Sequence, residues 1–181
     1  MILSTIMNKH AERYRDKVAI ACKDKSLTYK EFNKEINRVA NGLLGIGLRR
    51  GDVAGILSWN NVEGYEMVWA CVKTGVIYAS INGLASAEAN AFQINNDGVK
   101  VLFVDEAFNK VVNSIRPQLR TVEKFICIGS PQDYMESFDE WKSKYPPTEP
   151  PGVEESKPND ICAYLSSSGT TGLPKNAVHT Y

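Results

Sequence analysis

A run of small hydroxylated residues and glycines near the end of the chain is the stretch best suited to chemistry. Residues 166–178 read SSSGTTGLPKNAV and follow the apolar segment ICAYL. Glycines let backbone amides approach an anion closely, and serine and threonine hydroxyls add neutral donors. Pro174 stiffens the end of the run, and Lys175 supplies a positive charge. This combination predicts a loop that binds a polyphosphate.

Two other interpretations of the same stretch are weaker. A Walker A loop requires G-x-x-x-x-G-K-[ST] and a following helix, whereas Gly169 and Lys175 have the wrong spacing and NAVHTY reads as a strand. His179 near Ser167 and Ser168 raises a hydrolase alternative. No G-x-S-x-G elbow accompanies these residues, so His179 is better interpreted as a strand residue beside a loop. A plain flexible loop also remains open, because clusters of serine, threonine and glycine commonly form one.

The elements that must position this loop alternate between apolar strands and amphipathic helices. Thr28 followed by Glu31 forms a capping box that begins one helix, and Gly45 ends that helix. Continuous apolar strands between helices are typical of a parallel sheet covered on both faces. The sequence therefore predicts an α/β fold with a doubly wound, mostly parallel sheet and helices on both faces. Strands are expected at 18–24, 53–57, 76–81, 100–105, 124–129 and 161–165, and helices at 28–45, 61–74, 86–96, 106–116 and 134–144.

A change of composition divides the chain. Residues 146–160 contain five prolines and lack periodicity, which is typical of an exposed, extended connector. We expect an α/β subdomain at 1–145, this proline-rich connector at 146–160, and a strand, the phosphate-binding loop and the start of the next strand at 161–181. Trp59, Trp69 and the aromatic residues of the second helix are interpreted as core packing rather than a pocket.

Composition excludes several classes of protein. The 181 residues include 21 basic and 21 acidic side chains, so the net charge is zero and nucleic-acid binding is not expected. No apolar run approaches the roughly 18 residues that span a bilayer, and residues 1–17 lack the pattern of a signal peptide. Four widely spaced cysteines and two histidines predict reduced, mostly buried thiols and no metal site.

The loop sequence resembles that of a known family. SSGTTGLPK at 167–175 is similar to the phosphate-binding signature of the adenylate-forming superfamily, which includes acyl-CoA synthetases, coumarate–CoA ligases, beetle luciferases and adenylation domains of peptide synthetases. LTYKEF, GIGLRRGDVAGIL, EMVWACVKTGVIYASIN and ESKPNDICAYL resemble other motifs of that family, in its order and spacing. The resemblance therefore covers nearly the whole chain.

The resemblance implies an ATP-dependent carboxylate–CoA ligase, in which a carboxylic acid is adenylated and then transferred to coenzyme A. ATP, Mg²⁺ and CoA are the implied cofactors and substrates, and fatty or related organic acids are the implied acids. Lys175 is implied as the catalytic residue that neutralises charge on the leaving pyrophosphate. The residues implied to bind the nucleotide are Ser167, Ser168, Gly169, Thr170, Thr171, Gly172 and Lys175.

The resemblance also sets expectations for the chain itself. The family keeps its acyl pocket, adenine-binding motif, metal-binding glutamate and mobile catalytic lysine further along, so residues 1–181 alone are expected to be inactive. A cytoplasmic location is expected, and a homodimer is left open. Asn176 stands where the family nearly always has glycine. A truncated nucleotide-binding or interaction module, and an adenylation domain that loads a carrier protein, are the alternatives.

Overall fold

The elements of the chain alternate between helices and strands in the computed structural model, which describes residues 3–167 and 175–181. The helices are α1 (Ile6–Arg13), α2 (Tyr29–Gly45), α3 (Val62–Thr74), α4 (Ala87–Asn96), α5 (Asn109–Ile115) and α6 (Phe138–Ser143). The strands are β1 (Val18–Cys22), β2 (Lys25–Thr28), β3 (Val53–Leu57), β4 (Ile77–Ser80), β5 (Val99–Asp105), β6 (Lys124–Ile128), β7 (Glu136–Ser137), β8 (Ile161–Ser167) and β9 (Lys175–Thr180). Within these ranges, no helix is both long and apolar enough to cross a bilayer.

Seven of the described strands form one sheet in the order β7-β6-β5-β3-β4-β8-β9. Neighbouring strands are parallel throughout, except that β9 runs antiparallel to β8. One buried cluster contains residues of α1, α2, α3 and α6, and a second contains residues of α4 and α5. The predicted doubly wound, mostly parallel sheet with helices on both faces is confirmed.

Local signals explain where the helices that flank the sheet begin and end. The Thr28 hydroxyl accepts from the Glu31 amide at 3.3 Å, and the Glu31 carboxylate accepts from the Thr28 amide at 2.9 Å. Hydrogen bonds from the Thr28 amide and the Thr28 hydroxyl to its carboxylate lower the pKa of Glu31. The Asn61 side chain caps α3 by accepting from the Gly64 amide at 2.7 Å, and Gly75 ends the helix in the left-handed conformation that glycine adopts without strain. The predicted capping box is confirmed.

The structure differs from the sequence-based expectations at four places. Residues 25–28 form β2, which pairs with β1 in a separate two-stranded hairpin, and α1 was not predicted. The weak helix expected at 134–144 is limited to α6, because residues 136–137 pair with β6 instead. The strand before the glycine-rich run continues past Leu165 to Ser167, since antiparallel pairing with β9 supports two more residues.

The proline-rich segment lies against the helical layer rather than free in solvent. Asn37 and Asn41 of α2 donate to the carbonyl oxygens of Pro147 and Pro146, each at 3.0 Å. Lys73, which is fully buried in α3, contacts Glu149 at 2.9 Å. Burial lowers the pKa of Lys73, although its hydrogen bond and ion pair with Glu149 oppose that shift. The segment therefore fastens to α2 and α3 before the chain enters β8.

The contact between α2 and α6 leaves no room for a side chain at Gly42. A Cβ there would lie 2.6 Å from the Trp141 ring, which is 1% exposed and cannot move aside. We expect Gly42→Ala to lower the free energy of unfolding by about 1–3 kcal/mol, because overpacking outweighs the gain in helix propensity. Gly64→Ala is the matched control, since its Cβ would meet only the Asn61 side chain at 3.0 Å. Urea unfolding measures both, and an unchanged midpoint for Gly42→Ala would contradict the packing.

Candidate functional site

The predicted phosphate-binding run joins β8 to β9. Ser167 is the last residue of β8 and Lys175 the first of β9, and these two residues face each other as the final pair of the antiparallel ladder. Ser168, Gly169, Thr170, Thr171 and Gly172 lie outside the described residues. The structure thus brings Ser167 and Lys175 together where the run begins and ends. Their roles in binding phosphate remain predictions.

The base of the phosphate-binding run, where Ser167 and Lys175 pair, lies at the carboxyl edge of the parallel sheet. Leu165 of β8 faces Ser80 at the end of β4, so the run leaves the sheet at the edge where parallel strands end. In open α/β sheets, ligands bind outside the carboxyl ends of the strands. Because β9 is a strand, no helix dipole follows Lys175, and the charge that the described residues offer here is the lysine itself. The lysine is exposed at the start of an edge strand.

A cleft of about 220 Å³ lies beside this base, between α3 and the ends of β3, β4 and β8. Its volume is below the ~300–1,000 Å³ typical of drug-sized ligand pockets, so it accommodates a small ring or one part of a longer ligand. Its walls combine aromatic and apolar surface with a serine hydroxyl. The lining includes Trp59, Tyr65, Val68, Tyr78, Ser80 and Leu165.

The interpretation as core packing was wrong for Trp59 and for Tyr65 of the second predicted helix, which is 47% exposed and lines the cleft. Trp59 is 51% exposed, lines the cleft and contacts the Phe108 ring at 4.9 Å between centroids. Trp59 precedes Asn61, the N-cap of α3, and therefore lies outside the helical periodicity on which the interpretation relied. Trp69, inside α3, does pack against the core. The position of Trp59 between a strand end and a helix cap was the available signal.

A polar cluster at the ends of β3 and β5 was missed by the sequence analysis. The Asn61 amide donates to Ser58 at 2.9 Å and to Asp105 at 3.0 Å, while Asp105 also accepts from the Ala107 amide at 3.0 Å. The chain proceeds from β3 through α3 to one side, and from β5 through α5 to the other, so this cluster marks the topological switch point. Its members satisfy one another, which is typical of a cluster that fixes loop geometry.

Asn176 links β9 to the end of α4, on the face of the sheet opposite to α3. Its amide nitrogen donates to the Asp97 carboxylate at 2.5 Å, and Gln93 donates to the other oxygen of that carboxylate at 3.3 Å. Asn176 lies in the extended backbone of β9, so the tolerance of asparagine for left-handed φ is not needed. What distinguishes this asparagine here is the hydrogen bond of its side chain and not its backbone conformation.

The positions of Ser167 and His179 in the strand ladder do not support the hydrolase alternative. His179 faces Ala163, whereas Ser167 faces Lys175, four residues further along β9. At roughly 3.4 Å per residue, this places the two residues on the order of 13 Å apart along the ladder. Hydrogen bonding between a nucleophile and its base requires about 3 Å, so Ser167 and His179 cannot form a catalytic pair.

Neither the acidic side chains nor the thiols of the described residues form a metal centre. Within 3–167 and 175–181, no group of three or more histidine, cysteine, aspartate or glutamate side chains could hold a metal ion. All four cysteines are free, and three are buried. Burial raises the pKa of the Cys71 thiol far above its usual range, which makes a reactive thiolate there unfavourable.

Comparison with known proteins identifies the family of this chain. Residues 7–181 match the model of the family described as AMP-binding enzyme. The fatty acid–[acyl-carrier-protein] ligase ScoC of Streptomyces coeruleorubidus is 30% identical over 93% of this chain and 31% of its own length. The medium/long-chain-fatty-acid–CoA ligase FadD6 of Mycobacterium tuberculosis is 28% identical over 99% of this chain and 29% of its own length.

A solved structure shows the same backbone arrangement. The anthranilate CoA ligase AuaEII, crystallised with anthranoyl-AMP, superposes with a TM-score of 0.94 at 30% identity, covering 99% of this chain and 35% of that enzyme. The chain thus spans about a third of the length of the relatives that it matches.

Proposed function

Because the chain belongs to the AMP-binding enzyme family, we propose that it is the amino-terminal portion of a ligase that converts a carboxylic acid to its CoA thioester with ATP. The observation that carries this proposal is the family match over residues 7–181, which includes the whole of SSGTTGLPK and the strands around it. Fatty acids or related organic acids are the proposed substrates, since the matched relatives include ligases named for both kinds of acid.

The proposed reaction has two steps. In the first, a carboxylate oxygen bonds to the α-phosphorus of ATP, and the bond from that phosphorus to the bridging oxygen breaks, releasing pyrophosphate. In the second, the thiolate of CoA attacks the acyl carbon, and AMP leaves. Negative charge accumulates on the departing pyrophosphate in the first step. Preorganised positive charge is most effective where such charge develops.

The role proposed for this chain is to hold the leaving phosphates. Lys175 would contribute a point charge beside them, while Ser167 and the residues at 168–172 would donate hydrogen bonds. Magnesium would accompany ATP in this reaction. The described residues offer no carboxylate cluster for the ion, so we assign it no ligand here. Adenine, ribose and acyl contacts would come from other parts of the complete ligase.

Transfer to a carrier protein instead of CoA is the second candidate function. The observation that supports it is the 30% identity with a fatty acid–[acyl-carrier-protein] ligase, which equals the identity with the CoA ligase AuaEII. Both acceptors end in the same kind of thiol and react with the same acyl-adenylate. The two candidates therefore share the first step and differ in the second.

The division of the chain also forms part of the proposal. Residues 1–145 would be the first subdomain, 146–160 a connector and 161–181 the beginning of the next segment. The strands of 161–181 nevertheless complete the sheet of the first subdomain, because β8 pairs with β4. A non-catalytic nucleotide-binding module with this fold is the remaining alternative, and a direct activity measurement separates it from the ligase.

Acid-dependent exchange of label between pyrophosphate and ATP tests the proposed function. In the complete ligase, we expect exchange that depends on an added fatty or aromatic acid, followed by thioester formation with CoA. Residues 1–181 alone are expected to show no exchange. A panel of acids of different chain length identifies the substrate, and CoA in parallel with a phosphopantetheinylated carrier protein identifies the acceptor.

Two outcomes of the exchange experiment would contradict these expectations. The absence of acid-dependent exchange in the complete ligase would favour the non-catalytic module. Exchange by residues 1–181, lost in a Lys175→Ala control, would show that this portion is sufficient for adenylation.

A further inference from the structure

A chain of hydrogen bonds connects the residue after Lys175 to the core of the sheet. The Asn176 amide donates to Asp97 at 2.5 Å, and Asp97 accepts from Gln93 at 3.3 Å. The same Gln93 amide donates to the backbone oxygen of Ser80, at the end of β4, at 3.0 Å. Asp97 and Gln93 are 7% and 2% exposed, so this chain is shielded from competing water.

The orientation of the Asn176 amide follows from its partner. An ionised carboxylate only accepts hydrogen bonds, so the nitrogen of Asn176 must face Asp97. The other polar atom of this amide, Oδ1, is buried and has no hydrogen-bond partner among the described residues. Because an unsatisfied buried acceptor is unfavourable, stability alone does not explain an asparagine at this position. Its bond to Asp97 is the interaction that a glycine could not provide.

Apart from its pairing with β8, β9 is held at its far end by Tyr181, whose hydroxyl donates to the carbonyl oxygen of Val72 at 2.8 Å. The strand pairs with β8 on one side, lies at the edge of the sheet in the described part of the chain, and is exposed over most of its length. The cross-strand pair of Asn176 is Ser166, next to the pair formed by Ser167 and Lys175. A side-chain bond at this point therefore acts where the phosphate-binding run rejoins the sheet.

We propose that Asn176, through its hydrogen bond to Asp97, fixes the start of β9 and so positions Lys175 relative to the carboxyl ends of β4 and β8. Asn176 is a positioning residue in this proposal and does not touch the nucleotide. The inference rests on the proposed function for the role of Lys175. The anchoring of β9 to α4 is a statement about structure and can be tested separately.

Moving the carboxylate from position 97 to position 176 provides the test. Asn176→Asp places two carboxylates against each other, and we expect the KM for ATP in the exchange reaction of the complete ligase to rise about tenfold. Adding Asp97→Asn restores one amide and one carboxylate with the hydrogen bond reversed, and this double variant is expected to return within about twofold of wild type. Asn176→Gly removes the bond without adding charge and should raise the KM less.

The matched control is Asn96→Asp, which makes the same substitution beside the same carboxylate. Asn96 is the exposed last residue of α4 and donates to the same oxygen of Asp97 at 3.3 Å, so this variant adds a like charge beside Asp97 without removing the hydrogen bond from β9. We expect its KM for ATP to match wild type. In a second arm, amide hydrogen exchange of residues 175–180 is followed in the 181-residue chain, where Asn176→Asp and Asn176→Gly should accelerate exchange and the double variant should restore protection.

The two arms separate the possible failures. Faster amide exchange in Asn176→Asp with an unchanged KM for ATP would overturn the positioning role, since anchoring of β9 would then not matter for the nucleotide. Failure of the double variant to restore either quantity would overturn the pairing itself. No exchange activity in the wild-type ligase would overturn the proposed function, while restored amide protection in the double variant would still support the anchor.

Discussion

Replacing Lys175 with alanine in the complete ligase is expected to slow formation of the acyl-adenylate by about 10²- to 10³-fold, the range found when one preorganised oxyanion-hole donor is removed. Lys175 begins β9 opposite Ser167, at the base of the proposed phosphate-binding loop. The finished adenylate retains only the α-phosphate, whereas the loop is proposed to face the two phosphates that leave. Binding of a non-hydrolysable acyl-adenylate analogue should therefore weaken much less than the rate falls.

Single-turnover adenylation and equilibrium binding of the analogue measure these two quantities. Lys157→Ala is the matched control, because Lys157 is an exposed lysine of the segment before β8. We expect that variant to leave both quantities unchanged. Equal losses of rate and binding in Lys175→Ala would indicate a general structural role. An unchanged rate would remove the lysine from the chemistry and favour the non-catalytic module.

Replacing Lys142 with methionine is expected to lower the free energy of unfolding by about 3–5 kcal/mol, since it leaves a buried carboxylate without its main partner. Lys142 of α6 contacts Glu66 of α3 at 2.8 Å and Glu35 of α2 at 3.0 Å. Glu66 is fully buried, and Lys25 approaches it only to 3.6 Å. This ion pair therefore joins three helices on one face of the sheet.

The expected loss depends on pH in a defined direction. Burial raises the pKa of Glu66 above its ordinary value of 4.5, even though Lys142 opposes the shift. A group with a raised folded pKa binds its proton more tightly in the folded state, so stability falls as pH rises from about 4.5 toward the folded pKa. Without Lys142 the folded pKa rises further. The defect of Lys142→Met should therefore be largest near neutral pH and shrink below about pH 4.5.

Lys142 itself contributes stability over a different window. Burial alone would lower its pKa, but attraction to Glu66 and hydrogen bonds to Glu66 and Glu35 outweigh burial and raise the pKa above 10.5. Its contribution is therefore present below that value and is lost as pH rises through the folded pKa. Neutral pH lies below the folded pKa, so Lys142 is charged there in the wild-type protein.

Urea unfolding between pH 4 and pH 8 measures the effect. Lys144→Met is the matched control, since Lys144 is exposed and pairs with Glu136 at the surface, where such pairs contribute about 0–1 kcal/mol. The double variant Glu66→Leu with Lys142→Met removes both charges and should recover most of the loss. Equal stability of Lys142→Met and Lys144→Met at pH 7 would contradict the buried pair.

The fold could be predicted from the sequence where local interactions decide it. The capping box at Thr28 and Glu31 places the start of α2, and Gly75 ends α3, because hydrogen bonds and φ angles act within a few residues. Continuous apolar strands between amphipathic helices indicate a parallel, doubly wound sheet. The hairpin of β1 and β2 escaped prediction, since β2 is four residues long and merges into the capping box of α2.

The same distinction between local and tertiary interactions applies to the candidate site. The sequence by itself determined the residue types of the loop, its order and the family to which it points, because these depend on chemistry carried by consecutive residues. Tertiary structure decided the antiparallel pairing that sets Lys175 against Ser167, the exposure of Trp59 beside the cleft, and the contact of Asn176 with Asp97. Asn176 and Asp97 are 79 residues apart in the chain. Two polar side chains at that separation meet only because the order of strands places β9 beside the end of α4, and no local pattern records that order.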